Sequence, residues 1–124
     1  MSNVPPSGKQ DPIQDLRNKL RQFAAERDWD QFHSPKNLAM ALSVEAAELL
    51  EHFQWLSDAD SAALAPEKQA KVREELADVL LYLIRLADKL DIDLATAATD
   101  KLNINAKKYP VLKARGSNKK YTEL

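Results

Sequence analysis

Three times along this chain a proline stands where a helix would begin, with apolar residues at helical spacing behind it. Asp11-Pro12 precedes Ile13, Leu16, Leu20, Phe23 and Ala24; Ser34-Pro35 precedes Leu38, Leu42, Leu49 and Phe53; Pro66 precedes Val72, Leu76, Val79 and Leu83. Asp or Ser can cap the free N–H groups of a first turn, and proline fits that turn because its missing N–H is not needed there. Asp93 caps a fourth segment, which Tyr109-Pro110 ends. The pattern predicts helices over 12–28, 35–56, 66–90 and 94–108. No segment shows convincing strand alternation, and only 2 of 124 residues are glycine. The expected fold is therefore all-α, a four-helix bundle-like protomer with short connections.

Two of these helices carry acids beside their apolar stripe. In "SVEAAELLEHFQW" (43–55), Glu45, Glu48 and Glu51 follow one another at three-residue spacing, and "REELADVLLYL" (73–83) repeats the pattern with Glu75 and Asp78. At about 100° per residue, Glu45 falls inside the edge of the stripe and Glu48 and Glu51 step outward. Glu75 and Asp78 lie on the same flank of theirs. A carboxylate beside core leucines is costly unless a cation or hydrogen bonds offset its desolvation, and crowded carboxylates raise one another's pKa. Lys71, Arg73 and Arg85 could supply ordinary ion pairs instead. An all-oxygen ligand set selects a hard ion, Mg²⁺, Mn²⁺ or Ca²⁺. The Glu-x-x-His pairs of di-iron bundles are missing, since His52 follows Glu48 by four and His33 lies in a connection.

Charge is unevenly spread. Residues 101–124 hold seven Lys/Arg against Glu123 alone, a net +6 in a chain whose total is -1. An acidic body with a basic end suits a site that holds cations on one side and a polyanion on the other; a solvated tail is the plainer alternative. The near-neutral total gives no general pull on nucleic acid or membrane. There is no cysteine, which excludes a disulfide framework and a thiolate zinc site. No apolar run reaches membrane-spanning length and "MSNVPPSGKQ" has no apolar signal core, so a cytoplasmic protein is expected. The expected organisation is a loose arm at 1–10, a helical domain at 11–110 and a basic tail at 111–124.

The spacing Glu45-x-x-Glu48, 26 residues, Glu75-x-x-Asp78 resembles the signature of the MazG-like all-α nucleoside triphosphate pyrophosphohydrolases. "FAAERDWDQFHSPKNL", "ELLEHFQW", "EELADVLLYL", "INAKKYP" and "KKYTEL" are similar to the dCTP pyrophosphatase branch over about 13–124. The resemblance implies Mg²⁺-dependent hydrolysis between the α and β phosphates, giving a monophosphate and pyrophosphate. It implies Glu45, Glu48, Glu75 and Asp78 as metal ligands and catalytic acids, with Glu48 a candidate base. The nucleotide pocket would be Trp29, Asp30, Gln31, Phe32 and His33 with Trp55 and Tyr82; Asn105, Lys108 and Arg115 are candidates for the pyrophosphate. It further implies a small-molecule nucleotide substrate and a homo-oligomer, a tetramer built from two dimers being favoured over a dimer. Leu50, Leu81 and Ile84, off the main stripes, are candidates for such an interface. The role implied is the removal of surplus or 5-modified dCTP.

Two departures are visible. Leu20 stands where animal members carry a substrate-touching histidine, so base selectivity is expected to be looser, extending to dUTP or dTTP. Ala46 and Ala47 replace the family's "GEVGEL" variant with better helix formers. A non-catalytic helical adaptor with surface salt bridges is the reading from another class.

Overall fold

The computed structural model describes residues 11–124; the arm expected at 1–10 lies outside the described residues. The described chain is all-α, with α1 Pro12–Glu26, α2 Pro35–Glu51, α3 Asp58–Ser61, α4 Pro66–Lys89, α5 Leu94–Lys108 and α6 Val111–Ala114. No helix among these residues is long and apolar enough to cross a membrane. The chain forms two compact units, one ending at Asp91 and the other spanning Ile92–Leu124.

Local chemistry sets the starts. The Asp11 side chain accepts from the Ile13 N–H, Ser34 from Asn37 and Asp93 from Thr96, and proline occupies the first turn of α1, α2 and α4. Each such bond satisfies one of the four N–H groups that a helix leaves free at its start. The ends of α1 and α2 fall earlier than the periodicity predicts. α1 stops at Glu26 because Asp28 takes a left-handed φ of 55°, which a helix cannot continue through. The Asp28 N–H then donates to the Ala25 carbonyl and the Trp29 N–H to Ala24, a Schellman closure. This closure seats Trp29 edge-on against Phe23, with ring centres 5.7 Å apart.

α2 ends at Glu51 rather than near residue 56. Beyond it the N–H groups of His52, Phe53 and Leu56 donate to carbonyls three residues back, so the chain tightens into turns. Ser57 then caps the one-turn α3 inside the connection between the second and third expected helices. The basic tail holds α6 and a 3₁₀ turn at Tyr121–Glu123.

In the first unit α4 packs against both α2 and α1. Leu38 of α2, and Val72, Ile84 and Ala87 of α4, are buried together with Ala24 of α1. The outcome differs from the stripe drawn on the sequence. Leu76 and Leu83, counted as core, are exposed, while Ile84, counted as a spare interface position, is 2% exposed. Two packing partners pull the buried arc of α4 away from the centre of its apolar stripe.

Candidate active site

Of the four acids singled out by the spacing, three converge. One oxygen each from Glu45 and Glu48 on α2 and Glu75 on α4 all lie within 4.8 Å of one another. Three-residue spacing puts Glu45 and Glu48 one turn apart on α2, and the packing of α2 on α4 brings Glu75 across to them. Glu45 and Glu75 are half-buried, and each keeps one buried oxygen with no hydrogen-bond partner. Burial first, then hydrogen bonding to and repulsion by Glu48 and Glu75, pushes Glu45 up to about 7. Asp78, a turn beyond Glu75, is outside this trio and lines a neighbouring cavity.

The ion pairs that would have made these acids structural are elsewhere. Among the described residues no salt bridge reaches Glu45, Glu48, Glu75 or Asp78. Arg85, one of the three suggested partners, pairs instead with Asp30 and Asp88. Three converging carboxylates, two of them with an unpartnered buried oxygen, fit a hard divalent cation, which would remove the repulsion that raises Glu45.

The cavity of about 380 Å³ lies between α1, α4 and the turn that follows α1. Trp29, His33, Asp78 and Tyr82, all expected site residues, line it, together with Leu20, Phe23 and Arg85. Its wall is mostly apolar and aromatic. His33 stands edge-on to Trp29, with ring centres 6.4 Å apart.

The remaining expected pocket residues sit differently. The Asp30 carboxylate accepts from Arg85 and Lys89, and the Lys89 hydrogen bond leads in holding it below its ordinary pKa. Gln31 turns back, its amide donating to the Asp28 carbonyl and carboxylate. Phe32 is exposed, and its carbonyl accepts from the Asn37 amide. Trp55 is 87% exposed and does not line the cavity. In the second unit the Asn105 carbonyl accepts from the Tyr109 N–H, Lys108 lies 4.9 Å over the Tyr121 ring, and Arg115 caps α6.

Sequence reading missed Phe23 as a wall of the cavity and missed what Arg85 does. Arg85 is only 6% exposed. Its signal was an arginine set inside the apolar run "LLYLIRLADKL", where a solvated side chain has no place.

The chain is similar to known proteins. Residues 40–124 match the MazG-like family. The dCTP pyrophosphatase 1 of Rattus norvegicus is 48% identical over 114 residues, covering 90% of this chain and 67% of that protein. Its Homo sapiens counterpart is 46% identical over the same shares. A crystal structure of a pyrophosphatase from Archaeoglobus fulgidus aligns with TM-score 0.77 at 40% identity, covering 82% of this chain and 95% of that one.

Proposed function

The chain belongs to the MazG-like family and is a nucleoside triphosphate pyrophosphatase; from that premise we propose that it converts dCTP, and 5-modified dCTP, to the monophosphate and pyrophosphate. The carrying observation is the convergence of Glu45, Glu48 and Glu75 with two buried oxygens left unpartnered. The naming of dCTP follows the relatives of Rattus norvegicus and Homo sapiens. Glu45, Glu48, Glu75 and Asp78 would hold Mg²⁺, with Mn²⁺ as an alternative, to neutralise phosphate oxygens and acidify a bound water.

The chain's own residues divide the remaining work. An anionic phosphorus repels incoming water, and the chemistry is mainly positioning and charge stabilisation, so no covalent nucleophile is required. Glu48 takes the proton of the attacking water. The Trp29 indole stacks on the pyrimidine, with His33 and Tyr82 supplying polar contacts from the cavity wall. Asp30 holds that wall through Arg85 and Lys89. Asn105, Lys108 and Arg115 are candidates for the leaving pyrophosphate on side-chain chemistry alone.

The catalytic part spans 11–110 with 111–124 as a basic tail, and the protein acts on the cytoplasmic nucleotide pool. It works as a homo-oligomer, a tetramer of two dimers in preference to a dimer. Leu50 and Leu76, large apolar residues of the two central helices, support this reading because they stand exposed.

Purified protein should release pyrophosphate from dCTP with Mg²⁺ and none with EDTA. Release that persisted in EDTA, or no release from any triphosphate, would overturn the reading. A second reading keeps the chemistry and changes the base to dUTP or dTTP. It is favoured by Leu20, which lines the cavity with no hydrogen-bonding group. A panel of natural and 5-modified triphosphates separates the two.

A further inference from the structure

Arg85 is the buried charge of the first unit, and its hydrogen bonds have a consequence for the ring beside it. Its Nη2 donates to Asp30, and its Nη1 lies 3.6 Å from the Asp88 carboxylate. Asp88 in turn accepts from Arg21 of α1, and Asp30 from Lys89. These ion pairs leave the guanidinium little freedom. Its Nε–H donates to Nδ1 of His33 at 3.1 Å. Arginine keeps its protons in proteins, so this contact has one direction: Nδ1 accepts and carries no hydrogen. A neutral imidazole then bears its proton on Nε2. That nitrogen has no partner among the described residues, and His33 lines the cavity.

The charges around the ring oppose an imidazolium. Desolvation first, then Arg85 and Lys89, holds His33 below its ordinary pKa, against the opposing carboxylate of Asp30. Neutrality and a fixed acceptor at Nδ1 together leave one form of the side chain.

We propose that Arg85 is a positioning residue that locks His33 as the Nε2–H tautomer, making it a constant N–H donor in the cavity for a neutral acceptor oxygen on the bound nucleotide. The acceptor is either a pyrimidine carbonyl or the sugar 3′-hydroxyl. The assignment of the ligand rests on the functional reading above; the tautomer does not. A cavity built this way favours ligands that place an oxygen lone pair opposite His33. A base presenting an N–H there would meet donor against donor, which is costly where water is excluded.

The direct test is nitrogen NMR of the ¹⁵N-histidine-labelled, nucleotide-free protein, with the two histidines assigned through His52→Gln. At about pH 8 His33 should show an unprotonated Nδ1 and a protonated Nε2. An averaged pair of signals, or a protonated Nδ1, overturns the proposal. In Arg85→Lys the signals should collapse towards a tautomer mixture. KM for dCTP should rise about five-fold, the value of one hydrogen bond, with kcat nearly unchanged.

A merely structural role for Arg85 is separated by His33→Gln, whose amide N–H is a donor without tautomers. Arg85→Lys should add little to KM in that background; an equal loss in both backgrounds overturns the proposal. Should Arg85→Lys not fold, the wild-type spectrum still decides. His33→Ala measured with dCTP and with 2′,3′-dideoxy-CTP identifies the oxygen. Losing no further affinity with the dideoxy substrate supports the sugar hydroxyl, and an equal loss with both supports the base carbonyl. A wild type that bound no triphosphate yet kept the fixed tautomer would support the Arg85–His33 assignment and overturn the functional reading instead.

Discussion

Glu45 is under two pressures that act in the same direction. Its neighbours on α2 and α4 withdraw it from water and crowd it with like charge, which raises its pKa to about 7. A raised folded value means that the folded state binds a proton more tightly than the unfolded chain. The Glu45 contribution to the stability of cation-free protein should therefore be full below the ordinary carboxylate value of 4.5 and lost as pH climbs through about 7. Added Mg²⁺ should reverse that loss above pH 7, read as a rise in Tm. Glu45→Gln removes the repulsion. It should raise the Tm of cation-free protein and weaken Mg²⁺ binding by at least about ten-fold, since supporting residues alone can cost that much. Asp78→Asn should abolish turnover with helix content unchanged in circular dichroism. Substantial remaining activity would remove Asp78 from the site. At this scale Glu45 was legible as an acid inside an apolar stripe, whereas Arg85 was not legible as a partner of Asp30. The two are 55 positions apart, and no local pattern joins them.

The elements owe their starts and their packing to different causes, and substitutions can tell these apart. Ser34→Ala deletes the bond to the Asn37 N–H at the start of α2 and should cost about 1 kcal/mol in denaturant unfolding. Leu38→Ala opens a void where α2 packs, at a side chain that is 2% exposed, and should cost about 2–5 kcal/mol. Leu76→Ala on α4 should cost well under that in the isolated protomer, because Leu76 is 54% exposed. A similar cost for the two would show that Leu76 is buried in solution by another copy. The helix starts were legible because capping is settled within four residues. The ends of α1 and α2 were not, because no apolar pattern marks the left-handed φ of Asp28, and because the apolar period of α2 continues past His52 while the backbone tightens into turns.

The whole molecule leaves much of its apolar content uncovered. Leu112 is 97% exposed and Val111 74%, and Leu50, Leu76 and Leu102 are also exposed, while five apolar residues form the buried core of the described chain. So thin a core carries little hydrophobic stabilisation on its own. Association would therefore supply part of the folding stability, and Tm should rise with protein concentration. Sedimentation should report a dimer or tetramer, and Leu50→Glu should shift it towards smaller species with loss of stability. A monomer with a concentration-independent Tm would refute the assembly.

The sequence by itself determined an all-α chain, the places where its four long helices begin, and the flank on which the acids lie. These follow from caps, prolines and a 3.6-residue period, all of which act over a few neighbouring positions. Only the tertiary structure decided which side of α4 is buried, that Glu75 meets Glu45 and Glu48 while Asp78 faces the cavity, and that Arg85 holds His33. Each of these depends on how α1 and α2 settle against α4, and that arrangement is set by side-chain volumes and charges meeting across distances along the chain that no local repeat encodes.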